Sequence, residues 1–229
     1  MKIQPLKINS IPACLFGENK DNVFIAVHGF FSNKQDDIIR EFANIVISKG
    51  YSVLSFDLAS FGERTGEECT ISRAISDLKQ VLEYADREFK NVNVFAVSYG
   101  AYISLQVFKE RAVKFIMLSP IVNMLELTYN LMKLNNVTEQ ELNAEKQISK
   151  NYQTFYLEDL KFVQKNPSGE VKGNGYIIYG SKDTLQNFSL IKDFSVRNNC
   201  KIFAMQNGEH FFHTKEQLNY FKSVINKIV

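Results

Sequence analysis

Six uninterrupted apolar runs alternate with amphipathic stretches along almost the whole chain, and that rhythm leaves few folds open. Val23–Val27, Tyr51–Phe56, Val92–Val97, Val113–Leu118, Tyr176–Tyr179 and Lys201–Met205 are bounded by Gly, Asp, Ser or Asn and lack polar alternation. A strand with one wet face alternates apolar and polar residues, whereas a parallel strand covered by helices on both faces does not. Between these runs, Asp36–Lys49, Thr70–Arg87, Tyr99–Lys109 and Phe188–Asn198 carry helical spacing. In the second, Ile71, Ile75, Leu78, Leu82 and Ala85 fall on one face. A capping box at Thr214–Gln217 starts a last helix, with Leu218, Phe221, Ile225 and Ile228 on one stripe. Lys2–Ile8 and Pro12–Phe16 read as an antiparallel pair attached to the sheet edge. The expectation is an α/β fold with a doubly wound, mostly parallel sheet, forming a single domain over residues 1–229.

Composition narrows the function classes. Lys+Arg 27 against Asp+Glu 25 leaves a net charge of +2 with no long basic block, so nucleic-acid binding has no electrostatic support. The cysteines Cys14, Cys69 and Cys200 are scattered and lack metal-type spacing, which suits reduced thiols in a cytoplasmic protein. No apolar run approaches the roughly 18 residues a membrane span needs, and the N-terminus has no signal-like core. The expected partner is a small molecule, with neither nucleic acid nor membrane.

One stretch breaks the rhythm. Residues 121–172 lie between two strands and contain no strand-like run; they read as helices. Met124, Leu127, Leu131 and Leu134 share one face, a capping box follows at Thr138–Glu141, and then come Tyr152, Phe155 and Tyr156. So long a connection exceeds an ordinary crossover. It leaves the strand after the Tyr99 helix on the side where sheet ligands bind, so the segment is expected to form a helical lid over a site. The other reading is a helical insertion that simply packs on the domain.

The chemistry centres on Ala96-Val97-Ser98-Tyr99-Gly100, where an apolar strand meets a helix. A serine flanked by small residues at that junction marks a nucleophile elbow, a turn that pushes the hydroxyl out at the top of the sheet. A serine hydroxyl needs a base. His210, in the loop Gln206–His210 after the last strand, is the candidate; His213, next to the helix cap, is the second, and His28 reads as structural. Asp183 follows a strand and a glycine turn, and is placed to fix the imidazole tautomer. The order Ser98, Asp183, His210 is the one expected on an α/β-hydrolase sheet. Oxyanion donors are expected from the backbone N–H of Tyr99 and from that of Phe30 in His28-Gly29-Phe30-Phe31.

These residues resemble the α/β-hydrolase superfamily from about Val23 onward. The similarity is greatest to the small bacterial esterase and serine-peptidase-like branch that includes cinnamoyl/feruloyl esterases and dienelactone-hydrolase-like proteins. The matching pieces are His28-Gly29-Phe30, Lys49–Asp57, Ser60-Phe61-Gly62-Glu63-Arg64, the elbow, Gly180–Asp183 and Gly208–His210. The resemblance implies that Asp57 and Gly62 belong to a loop shaping the pocket floor. Two departures stand out: Ala96 replaces the usual first glycine, and Leu58-Ala59-Ser60 lacks the Arg-Gly often found there.

The expected activity is carboxylic-ester hydrolysis on short to medium or aryl-acyl substrates, with no metal or organic cofactor. Phe31, Met124, Leu127 and Leu131 are expected to line the acyl pocket, with Phe30 and Tyr99 beside them. Thioester cleavage would use the same acyl-enzyme. A peptidase or amidase would need an acid to hold a substrate amine, for which Glu126, Glu158 and Asp159 are candidates. A catalytically silent ligand-binding member is the remaining alternative.

Overall fold

The chain opens with β1 (Ile3–Ile8) and β2 (Ile11–Phe16) in the computed structural model, which describes residues 1–229. Then follow β3 (Asn22–Val27), α1 (Asp37–Ile47), β4 (Ser52–Phe56), α2 (Ile71–Glu88), β5 (Asn91–Val97), α3 (Tyr99–Val107) and β6 (Ala112–Leu118). The segment after β6 holds α4 (Met124–Leu134), α5 (Glu139–Glu145), β7 (Gln147–Lys150), β8 (Gln153–Tyr156) and α6 (Leu157–Lys165). The chain returns to the sheet with β9 (Lys172–Gly180), α7 (Phe188–Arg197) and β10 (Lys201–Met205), and closes with α8 (Lys215–Ile228).

Eight strands form one sheet in the order β1-β2-β4-β3-β5-β6-β9-β10. All pairs from β4 to β10 are parallel, and β2 runs antiparallel to both its neighbours. The chain steps outward from β3 to β4, then crosses back through α2 to place β5 on the other side of β3. Loops leaving β3 and β5 therefore diverge, and the crevice between their carboxyl ends is where sheets of this kind bind ligands. His28–Phe31 and Ser98 lie at those two ends.

Side-chain alternation divides the interior into two cores. Val23, Ile25 and Val27 of β3 join Val94 and Ala96 of β5 in a core shared with α2, α3, α7 and the segment after β6. Phe24 and Ala26, pointing the other way, join Phe95 in a core shared with α1 and α8. Both faces of the central strands are covered, as their unalternating apolar sequences require. In the second core the Phe42 ring stacks on Phe95 at 4.0 Å and meets Phe24 edge-on at 5.0 Å.

The segment 121–172 is not purely helical. β7 and β8 form a separate antiparallel hairpin, turning at Asn151-Tyr152 with Asn151 at φ 51°. Its inward residues are the pair Ile148 and Phe155, one per strand, so no apolar run announces it. On α4, Met124 and Leu127 are buried, but Leu134 is 78% exposed and Met132 takes the inward position instead. β9 also starts earlier than its apolar run. Its first residues, Lys172–Gly175, pair with Ala112–Phe115, and Gly173 sits at φ +96° with no room for a Cβ beside the Val113 backbone.

Candidate active site

Ser98 stands between β5 and α3 at φ 51° and ψ −118°, a conformation an L residue holds only at a cost of about 1–3 kcal/mol. The surroundings over-determine it. Its N–H donates to the Leu118 carbonyl at 3.0 Å, and its own carbonyl accepts from Ala101 and Ile121 at 3.0 and 3.3 Å. Two residues on, a Cβ at Gly100 would lie 2.4 Å from the Val27 carbonyl oxygen and 2.5 Å from that of His28. Glycine is required there because α3 starts against the end of β3. Ala96 is fully buried and fits.

The acid and the histidine come from two loops that dock backbone to backbone. A Cβ at Gly180 would lie 2.4 Å from the Gly208 carbonyl carbon and 2.5 Å from the Glu209 oxygen. Lys182 N–H donates to Gly208 O at 2.8 Å, and Asn207 N–H to Ser181 Oγ at 2.8 Å. This contact carries Asp183 and His210 to the same place. His210 Nδ1–H donates to Asp183 Oδ2 at 2.7 Å, and Ser98 Oγ–H donates to His210 Nε2 at 2.9 Å. Asp183 Oδ1 accepts from Leu185 N–H at 2.9 Å, which fixes the carboxylate's orientation. Its side chain is 1% exposed and that of His210 9%.

The other histidines are committed elsewhere. His28 is buried, its Nδ1–H donates to its neighbour's Gly29 carbonyl at 2.7 Å, and its Nε2 accepts from Leu58 N–H at 3.0 Å. Burial holds its pKa below the usual value, so it stays neutral and structural. His213 is exposed, and its Nδ1 bonds the Phe211 carbonyl at 2.9 Å. Gly29 lies opposite Ser98, where a Cβ would be 3.1 Å from the serine Cβ. The Phe30 N–H has no hydrogen-bond partner within the protein, and Tyr99 opens α3, so its N–H lacks an acceptor in that helix and stands at the positive end of the dipole.

A cavity of about 270 Å³ opens from Ser98 and His210 beneath the segment after β6. Phe31, Met124, Leu127 and Leu131 all line it, as do Phe30 and Tyr99. Most of the lining is apolar. On the other side of Ser98 and His210 lies a cleft of about 390 Å³, bordered by Ser32, Asp36 and Asp37. Asp57 and Gly62 line neither space; their loop sits behind Phe30 rather than forming a pocket floor, because Asp57 is turned inward to an ion pair with Lys34.

Two residues at the site escaped the sequence reading or were left unranked by it. Gln186 is 1% exposed; its Oε1 accepts from Val122 and Asn123 N–H at 3.0 and 2.8 Å, tying the Asp183 loop to the start of the inserted segment. A lone glutamine in a loop gives no periodic signal. Of the three acids considered for amine binding, Glu158 is exposed and Glu126 belongs to the α4 cap with Asn123. Asp159 alone lines the cavity. Its carboxyl accepts from Ile71 N–H at 2.8 Å, and burial pushes its pKa up to about 7.

Comparisons with known proteins bear on the fold and the family. No curated protein matches the chain in sequence. Among solved structures, Est1E from Butyrivibrio proteoclasticus with ferulic acid bound superposes with a TM-score of 0.76 at 15% identity, covering 98% of this chain and 96% of that one. The Pyrococcus furiosus esterase Pf2001 gives 0.70 at 19% identity, over 99% and 90%. An α/β serine hydrolase from Xanthomonas campestris, described as having no lid, gives 0.70 at 14% identity, over 99% and 93%. At these identities the likeness is one of fold, and the fold is that of the α/β-hydrolases. The model of the serine aminopeptidase (S33) family matches residues 18–168. The chain therefore belongs to the serine aminopeptidase (S33) family of α/β-hydrolases.

Proposed function

We propose that the protein is a serine hydrolase of carboxylic esters, acting on short to medium or aryl-acyl groups through Ser98, His210 and Asp183. The observation that carries this reading is the unbroken relay from Ser98 Oγ through His210 to Asp183 at 2.9 and 2.7 Å, opening on a mostly apolar cavity. Ser98 Oγ attacks the ester carbonyl as its proton passes to His210 Nε2. Asp183 holds the ring in the productive tautomer and stabilises the imidazolium. The N–H groups of Phe30 and Tyr99 receive the oxyanion, each worth about 2.7–4 kcal/mol where such donors have been removed. His210 then gives its proton to the departing alkoxide, leaving an acyl-enzyme. Water, deprotonated by the same imidazole, releases the acid. The segment 121–172 serves as the roof of the acyl pocket, a lid in position whether or not it moves.

A second reading is favoured by Asp159. A carboxyl with one oxygen on Ile71 N–H and a place in the cavity wall suits an acyl group that ends in an amine, which would make the enzyme an aminopeptidase or amidase. The test is a panel of p-nitrophenyl esters of increasing acyl length, a feruloyl ester, an acyl-thioester and an aminoacyl-anilide, assayed with wild type and Ser98→Ala. Ester turnover with a chain-length optimum, lost in the folded Ser98→Ala variant, is expected. A variant that keeps most of the turnover would remove Ser98 from the mechanism. Anilide cleavage with little ester turnover would select the second reading.

A further inference from the structure

The loop from His28 to Lys34 carries the Phe30 N–H, and its hydrogen bonds to the loop after β4 lie at its two ends. At the first end, His28 Nε2 accepts the Leu58 N–H at 3.0 Å. At the far end, Lys34 N–H donates to Asp57 Oδ1 at 2.8 Å, and Lys34 Nζ donates to Asp57 Oδ2 at 2.6 Å and also to Glu63. Both anchors lie on the loop that follows β4. Between them Phe31 sits at φ 59°, an unfavourable conformation for a bulky side chain, which persists only if the ends are held. The Phe30 ring packs edge-on against Tyr99 at 4.5 Å and Phe61 at 5.2 Å, so the residues supplying both oxyanion donors lean on each other and on the same loop.

Asp57 is fully buried, and Lys34 is 7% exposed at its side chain. Asp57 also accepts from Glu63 N–H at 3.0 Å, and a Cβ at Gly62 would lie 2.3 Å from its carboxyl. The carboxylate is thus boxed in, and Lys34 is the cation paired with it at that depth. Without a counter-ion a buried carboxylate either protonates, losing an acceptor, or draws water in and opens the packing.

We propose that Lys34 is a positioning residue: by neutralising Asp57 it fixes the Gly29–Asn33 loop so that the Phe30 N–H meets the oxyanion. The proposal rests on the serine-hydrolase reading above. A ground-state carbonyl gains little from a well-aimed donor, whereas the tetrahedral intermediate gains much, so misplacing Phe30 lowers kcat and leaves KM alone.

The experiment is steady-state kinetics of Lys34→Ala on the best ester of the panel, per folded enzyme and well below its Tm, with and without added propylammonium. The expected result is a kcat lower by about 10- to 100-fold, under the 10²–10³ of losing a donor outright, with KM within about twofold. Propylammonium, filling the vacated space and restoring the charge, should recover part of the kcat. An unchanged kcat, a loss carried by KM, or a loss that propylammonium leaves untouched overturns the proposal. If Lys34→Ala does not fold, Lys34→Gln carries the test, since its longer amide side chain can still donate a hydrogen bond but brings no positive charge to Asp57. A kcat about 3- to 10-fold lower at constant KM is expected; a wild-type kcat overturns the proposal. Failure of the serine-hydrolase reading looks different, because wild type itself then shows no Ser98-dependent turnover.

Discussion

The contact between Gly180 and the Gly208–His210 loop makes the sharpest prediction, because it couples two members of the relay without touching the reacting atoms. In Gly180→Ala the new methyl would stand 2.4 Å from the Gly208 carbonyl carbon and 2.5 Å from the Glu209 oxygen, both of them backbone atoms. Ordinary contact begins near 3.4 Å, so the two loops must part by about 0.9–1 Å, and overpacking of this kind costs about 1–3 kcal/mol. The first bond to feel the shift is His210 Nδ1–H to Asp183 Oδ2. At 2.7 Å it would stretch beyond hydrogen-bonding range. A misplacement of about 1 Å in a catalytic group costs roughly 10²-fold in rate. The expected outcome is therefore a kcat/KM lower by about two orders of magnitude, with Tm lower by only about 2–12 °C at some 2–4 °C per kcal/mol. The assay is p-nitrophenyl ester hydrolysis at 25 °C, with folding monitored by circular dichroism on the same samples. A kcat/KM within about threefold of wild type would mean that loop docking does not set the relay, and the reasoning would fail.

Two further outcomes test the energetics. Phe42, fully buried and stacked on Phe95 across the sheet from the cavity, should cost about 3–5 kcal/mol when changed to Ala, with kcat/KM unaltered in the folded fraction; urea denaturation measures the first and ester hydrolysis the second. Asp159 titrates near 7 in the folded protein, above its ordinary carboxyl value because of burial, so the folded state binds the extra proton between the two values. The stability gained from the protonated form is complete below the unfolded pKa and is lost as pH rises through about 7. Asp159→Asn should accordingly raise Tm at pH 8.5, change it little at pH 4, and remove any rise in KM for apolar acyl esters above neutrality. A Tm that drops equally at both pH values would show that Asp159 matters only as an acceptor for Ile71.

The sheet was legible from sequence because its evidence is local. Every parallel strand contains an apolar run, and the capping box at Thr214 lies at the start of α8. The misreadings fall where burial is one-sided or borrowed from a partner. The β7–β8 hairpin buries one apolar residue per strand at its inward pair, and the first residues of β9 are Lys172, Gly173, Asn174 and Gly175, held by pairing to β6 rather than by their own hydrophobicity. On α4, Met132 and Leu134 are both apolar and differ by about 160° around the axis, so periodicity alone could not decide which faced inward. At the site, Ser98, Asp183 and His210 were picked by motif and chain order, whereas Gln186 and the Lys34–Asp57 pair act through contacts between loops far apart in sequence.

Those loop contacts explain how five segments distant in sequence can form a site of hydrogen-bond precision. Each loop is located by an approach too close for a side chain or by a buried polar bond, rather than by a large apolar surface. Gly100 seats the elbow on the end of β3, Gly180 seats the Asp183 loop on the His210 loop, and Lys34 and His28 fasten the loop between them to the one after β4. Gln186 then joins the Asp183 loop to the roof. Apolar packing tolerates volume-conserving exchange at under about 1.5 kcal/mol, so it cannot hold such tolerances alone. Close backbone approaches and buried hydrogen bonds can, since each fails steeply over a few tenths of an ångström. Substitutions at Gly100, Gly180, Lys34 and Gln186 should therefore reduce activity more than their effect on stability suggests, and those in the Phe24–Phe42–Phe95 core should do the reverse.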